Sequence, residues 1–155
     1  MLRNSDLLLL KRLVRFWQRK LGLTQWAGSV AWDTGGVLKQ NIDAEIEWDP
    51  DHMTFRILFS PGLNFTNLNI TIVHELLHLA DWQAENELQE HKAECPGFAY
   101  GAWSRIHDIA ITHVARAFVA HCGTGPVEIT VRLEAEIARK QANRKESQTR
   151  RSDAQ

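Results

Sequence analysis

The chain has 155 residues, is 44% hydrophobic and carries a formal net charge of −1, which suits one compact domain with a real core. So balanced a charge singles out no polyanionic or polycationic partner for the whole molecule. Two cysteines, Cys95 and Cys122, make no disulfide framework and fit reduced thiols in a cytoplasmic protein.

The first residues lead into four leucines, Leu7 to Leu10, and then Lys11 and Arg12. That apolar run is too short for the core of a signal peptide and far too short to span a bilayer. The expected location is therefore the cytoplasm, with no membrane partner. Ser5 can cap a helix running to about Leu21, since Leu7, Leu10, Val14, Trp17 and Leu21 recur at three- and four-residue steps. Gly22 ends it.

From Trp26 to Trp32 the pattern shortens to alternation, which reads as a strand, and Thr34-Gly35-Gly36 follows as a loop. Residues 42–48 alternate apolar and acidic, Asp49-Pro50-Asp51-His52 turns the chain, and Met53 to Phe59 alternates again. These two segments predict an antiparallel hairpin with the acids and Arg56 on the wet side. Its apolar face needs a helix against it.

Asn64 or Thr66 can cap a central helix expected from about Asn67 to Glu87. After Cys95-Pro96-Gly97, a second long helix is expected from Phe98 to His121, closed by Gly123. Its apolar stripe comprises Trp103, Ile106, Ala110, Ile111, Val114, Ala117 and Phe118. A last helix from Gly125-Pro126 through Ile137 is preferred to a strand, although Val127, Ile129, Val131 and Leu133 also alternate. The fold class expected is α+β: a small antiparallel sheet against the central helix and a second long helix, with an N-terminal helix. The domain is expected to cover residues 1–138. Residues 139–155 lack large apolar side chains and read as a disordered tail. That tail carries six Lys/Arg against two acids, a net +4, leaving 12 basic and 17 acidic residues, a net −5, on the rest. Such a basic tail is usually a solvated end, and it is where nucleic acid or a partner would be engaged electrostatically.

The chemistry concentrates in Thr71 to Ala80, where His74-Glu75-Leu76-Leu77-His78 is a His-Glu-x-x-His motif in an apolar segment. On a helix His74 and His78 leave one face a turn apart, so both rings can reach one Zn²⁺ at roughly 2.0–2.1 Å. Glu75, about 100° round the helix, is placed to take a proton from water as a general base. Ile72, Val73, Leu76, Leu77, Leu79 and Ala80 are uncharged, so the helix is expected to be buried nearly all round. Two histidines and a glutamate are costly there unless a metal satisfies them. The alternative is a pair of core histidines bonded to backbone carbonyls.

A hydrolytic zinc site needs a third protein ligand. The position six residues after His78 is Ala84, which excludes the class with a third histidine there. Asp81 lies about 10 Å along the helix axis from His74, so it suits orienting His78 better than sharing the metal. His107 and Asp108 on the next helix are the candidates, with His91 and Glu94 in the connection. Glu85, His113 and His121 read as structural, and the cysteines lack the paired spacing of a zinc site.

With these residues assembled, the chain resembles the small zinc metallopeptidases of phage and bacterial genomes known as minigluzincins. Residues 17–23 followed by Trp26 are similar to that family's opening helix and first strand, and Glu45 to Phe59 to its hairpin. The match is tightest over residues 72–79. Residues 108–118 resemble the family's helix that begins with a ligand glutamate. The resemblance implies a zincin-like fold, Zn²⁺ held by His74, His78 and Asp108, Glu75 as general base, and hydrolysis of peptide or protein substrates held along a sheet edge. Asp108 departs from the family pattern by being one methylene shorter than glutamate. The other function class in view is a zinc-stabilised binding domain without turnover, acting on a protein partner or nucleic acid.

Overall fold

In the computed structural model, residues 4–38, 42–63, 67–82, 86 and 100–123 are described. The expected last helix, the tail and the boundary at residue 138 lie outside them, as do Glu85, His91, Glu94 and Cys95. Helix α1 (Asn4–Lys20) is amphipathic, and Leu10, Leu13, Val14 and Trp17 are buried while Arg12, Arg15, Arg19 and Lys20 stay wet or half-wet. Gly22 takes φ +73, the left-handed conformation that stops a helix without a Cβ clash. Gln18 braces the exit, its side-chain amide donating to the carbonyls of Leu23 (2.8 Å) and Trp26 (2.6 Å).

Three strands follow: β1 (Ala27–Trp32), β2 (Ala44–Asp49) and β3 (Thr54–Phe59). β2 and β3 form the expected antiparallel hairpin, with Glu47 opposite Arg56 on the exposed face. Asp49 organises its turn by accepting from the backbone N–H groups of Asp51 and His52. The expectation of a wholly antiparallel sheet needs correction. The order is β1-β3-β2, and β1 runs parallel to β3, so the sheet is mixed. Alternation shows a strand but not its neighbour. The connection of residues 33–43 is long enough to carry the chain past one strand position, about 5 Å, and β3 folds back into that gap. Backbone bonds from Ala27 to the Met53 carbonyl (2.8 Å) and from Asp33 to the Phe59 carbonyl (2.9 Å) close the β1–β3 ladder at both ends. The Asp33 carboxylate accepts from the N–H groups of Val37 and Leu38, both at 2.9 Å, and these bonds hold its pKa below the ordinary value.

Helix α2 (Leu68–Ala80) packs against β2, α1 and the second long helix, α3 (Tyr100–Cys122). Ile72, Val73, Leu76 and Leu79 are fully buried, as the apolar run implied, although Ala80 is exposed. Of the expected span to about Glu87, α2 itself ends at Ala80, and Trp82 and Asn86 beyond it are helical again. Asp81 closes α2, its N–H donating to the Leu77 and His78 carbonyls, and Asn67 starts it without a side-chain cap. Trp17 Nε1 donates to Asn69 Oδ1 (2.8 Å) and satisfies both groups where α1 and α2 meet in the core.

The inward face of α3 is also a correction. Trp103, Ile111 and Phe118 turn inward or half-inward as expected, joined by Ala115, Val119 and Cys122. Ile106 (67%) and Val114 (53%) are exposed, and Ala110 and Ala117 lie outside with them. The helix is apolar on two sides, so hydrophobicity alone does not choose its rotation. The observed rotation sets polar contacts with α2 beside the buried Ile111, Ala115 and Val119.

Candidate metal centre

Helix α2 projects His74 and His78 toward α3, and α3 answers with Asp108. His74 Nε2 lies 3.1 Å from His78 Nε2 and 3.2 Å from Asp108 Oδ1, and His78 Nε2 lies 3.6 Å from that same oxygen. A tetrahedral centre with bonds of about 2.0–2.1 Å sets its donors about 3.3–3.4 Å apart, so a point near 2 Å from all three donors exists here. Two imidazoles and a carboxylate are a donor set that suits zinc. These three form a group whose ligand atoms all lie within 4.8 Å of one another. The residues present therefore fit the metal.

The two Nε2 atoms at 3.1 Å would repel if both presented lone pairs with nothing between them. A proton on one ring or a cation between the two removes the conflict. The histidine side chains are 17% and 18% exposed and that of Asp108 is 58% exposed, so the cluster opens to solvent on the α3 side. That leaves room for water or a ligand.

Glu75, next to His74, is buried beside β2. Burial pushes its pKa up to about 8, against the opposing pull of a positive His78 and of a hydrogen bond from the Ile46 backbone N–H; Glu45 and Asp108 add to the rise. The Ile46 donor follows from strand geometry. Ser60 N–H donates to the Asp43 carbonyl (2.9 Å), and hydrogen-bonded pairs alternate along an antiparallel ladder. Ala44, Ile46 and Trp48 therefore turn their backbone groups to the open side of β2. A buried carboxyl beside a group of metal-ligating side chains is a candidate for proton transfer.

The residues weighed as third ligands part company. Asp108 joins the histidines. His107 takes Asp81 as partner, Nε2 to Oδ2 at 2.7 Å, and its ring stacks on Trp103 with centroids 4.6 Å apart and planes 14° apart. Asp81, expected to orient His78, thus meets His107. His113 and His121 sit exposed on α3. Thr112 was not singled out by sequence reasoning. Its hydroxyl lies 3.2 Å from His74 Nδ1 and 2.9 Å from the Asp108 carbonyl. The available signal was its position one turn after Asp108, which puts both on one face of α3.

A hollow of about 530 Å³ lies on the outer face of the sheet among Ala27, Ser29, Glu47, Asp49, Thr54 and Arg56. It is on the opposite face from α2, and the chemistry is not there. Among the described residues, no helix is long and apolar enough to cross a membrane. Comparison with protein-family models, with characterised proteins and with solved structures finds no match to this chain.

Proposed function

We propose that this protein is a zinc-dependent metallopeptidase of the zincin-like, minigluzincin type, acting on peptides or proteins. The observation that carries the reading is the meeting of His74, His78 and Asp108 at near-tetrahedral donor spacing beside a buried Glu75. His74, His78 and Asp108 hold the ion. When bound, Zn²⁺ supplies Lewis acidity, which acidifies water and polarises a carbonyl. Glu75 takes the proton from the attacking water and later delivers it to the leaving amine. Its burial keeps bulk water from levelling that exchange, and the Ile46 N–H holds its carboxyl in place. The outward backbone groups of β2 other than the Ile46 N–H are suited to receive an extended peptide as an added strand.

The test combines zinc measurement and hydrolysis. Purified protein is expected to carry one zinc and to cleave members of a peptide library. Glu75→Gln should retain the zinc while hydrolysis falls by about 10²–10⁴-fold; undiminished hydrolysis would remove Glu75 from the mechanism. Asp108→Ala should lose zinc. Stable zinc with no cleavage of any peptide would point to the non-catalytic binding domain. Absence of zinc would reduce the histidines to core residues.

A further inference from the structure

The Thr112 hydroxyl has a single proton, and its two polar neighbours decide where that proton goes. The Asp108 carbonyl oxygen, 2.9 Å away, can only accept, so the proton is directed to it. The Thr112 oxygen is then left as an acceptor 3.2 Å from His74 Nδ1. That contact is favourable only when Nδ1 carries hydrogen. A neutral imidazole has one N–H, and the Asp108 carboxylate oxygen, 3.2 Å from Nε2, competes for it until a cation takes the Nε2 lone pair. Nε2 is the atom that faces Asp108 Oδ1 and His78 Nε2.

We infer that Thr112 is a positioning residue: it holds His74 in the Nδ1–H tautomer and so aims the Nε2 lone pair at the point where the α2 and α3 donors converge. Its functional meaning rests on the metal site proposed above; its geometry does not. A threonine bonded to the carbonyl four residues back does nothing for its own helix and tends to bend it slightly. Here the bond fixes the direction of the hydroxyl, and through it the state of a ring on another helix. Histidine ligands commonly need a partner on the second nitrogen to fix ring and tautomer. Thr112 also ties the backbone of one candidate ligand, Asp108, to the side chain of another, His74.

Thr112→Val and Thr112→Ser in the full chain test this. Valine keeps the β-branched shape and deletes the hydroxyl; serine keeps the hydroxyl and deletes the methyl. Long-range ¹H–¹⁵N NMR of the metal-free proteins, above the ordinary titration range of histidine, reads the His74 tautomer. The wild type and Thr112→Ser should show a larger share of Nδ1–H than Thr112→Val, which should shift toward Nε2–H. Zinc titration should find Thr112→Val weaker by about 10–100-fold and Thr112→Ser close to wild type, with metal-free melting temperatures little changed. An unchanged tautomer in Thr112→Val would overturn the inference, as would a serine variant that fails as badly as the valine one. If the wild type binds no zinc, the metal-site reading falls, and the tautomer measurement still decides the role of Thr112.

Discussion

At the β2–β3 turn, Asp49 Oδ2 and His52 Nδ1 meet at 2.8 Å. The hydrogen bond and the opposite charge raise the His52 pKa above its ordinary 6.5 and lower that of Asp49 below its ordinary 3.8. A raised histidine stabilises the fold fully below its unfolded pKa and loses that contribution as pH climbs through the folded value. A depressed aspartate stabilises fully above its unfolded pKa and loses it as pH falls through the folded value. The pair is thus at full effect between those two ordinary values and fades on either side. Asp49→Asn should return the His52 titration, followed by NMR, to near 6.5; an unmoved midpoint would mean that the bond is not formed in solution. At this scale the legible residues were those whose spacing lies within one helix. His74, Glu75 and His78 need only the 3.6-residue turn, whereas Asp108 was placed through a family likeness. Thr112 depends on how two helices face each other, which no local pattern encodes.

Among the secondary-structure elements, β1 is the one whose partner the sequence concealed. Its alternation was plain, but parallel pairing with β3 depends on the path of residues 33–43. Gly28 shows how closely the strands fit. It pairs with Phe55, and a Cβ placed there would lie 2.7 Å from Phe55 Cε1 and closer still to Cζ. Phe55 is only 3% exposed, so its ring has little space to yield. Gly28→Ala should therefore cost about 1–3 kcal/mol as an overpacking substitution, read as a lower midpoint in chemical denaturation. At Gly35 the nearest atom to such a Cβ is Val37 Cγ2 at 3.6 Å, an ordinary contact, and φ is not positive. Gly35→Ala should stay within about 0.5 kcal/mol of wild type. Equal losses at both positions would show that the Phe55 ring is not the cause.

For the whole molecule, the candidate centre is a cross-link. Its donors come from α2 and α3, which are separated in sequence by residues 81–99, so a bound ion joins two segments that only tertiary structure brings together. Zinc at about a hundredfold excess over its dissociation constant should add about 2.7 kcal/mol of stability. In a domain of this size that raises the melting temperature by about 5–10 °C, and chelation should reverse it. Asp108→Ala should lose most of the gain while its metal-free melting point barely moves, because the side chain is largely exposed. The α+β class, the hairpin and the two site helices were readable from periodicity. The rotation of α3 was not, because Ile106, Ala110 and Val114 form a second apolar stripe on the exposed side.

That second stripe separates two properties usually entangled in a helix. Polar contacts, His107 to Asp81 and Thr112 to His74, tie α3 to its neighbours beside the buried Ile111, Ala115 and Val119, and the outer hydrophobes take no part in either set. Ile106, Ile109 and Val114 are therefore free to drift or to be redesigned. Charged replacements there would raise solubility and weaken competing rotations of the helix, leaving the donor geometry to the few side chains that set it.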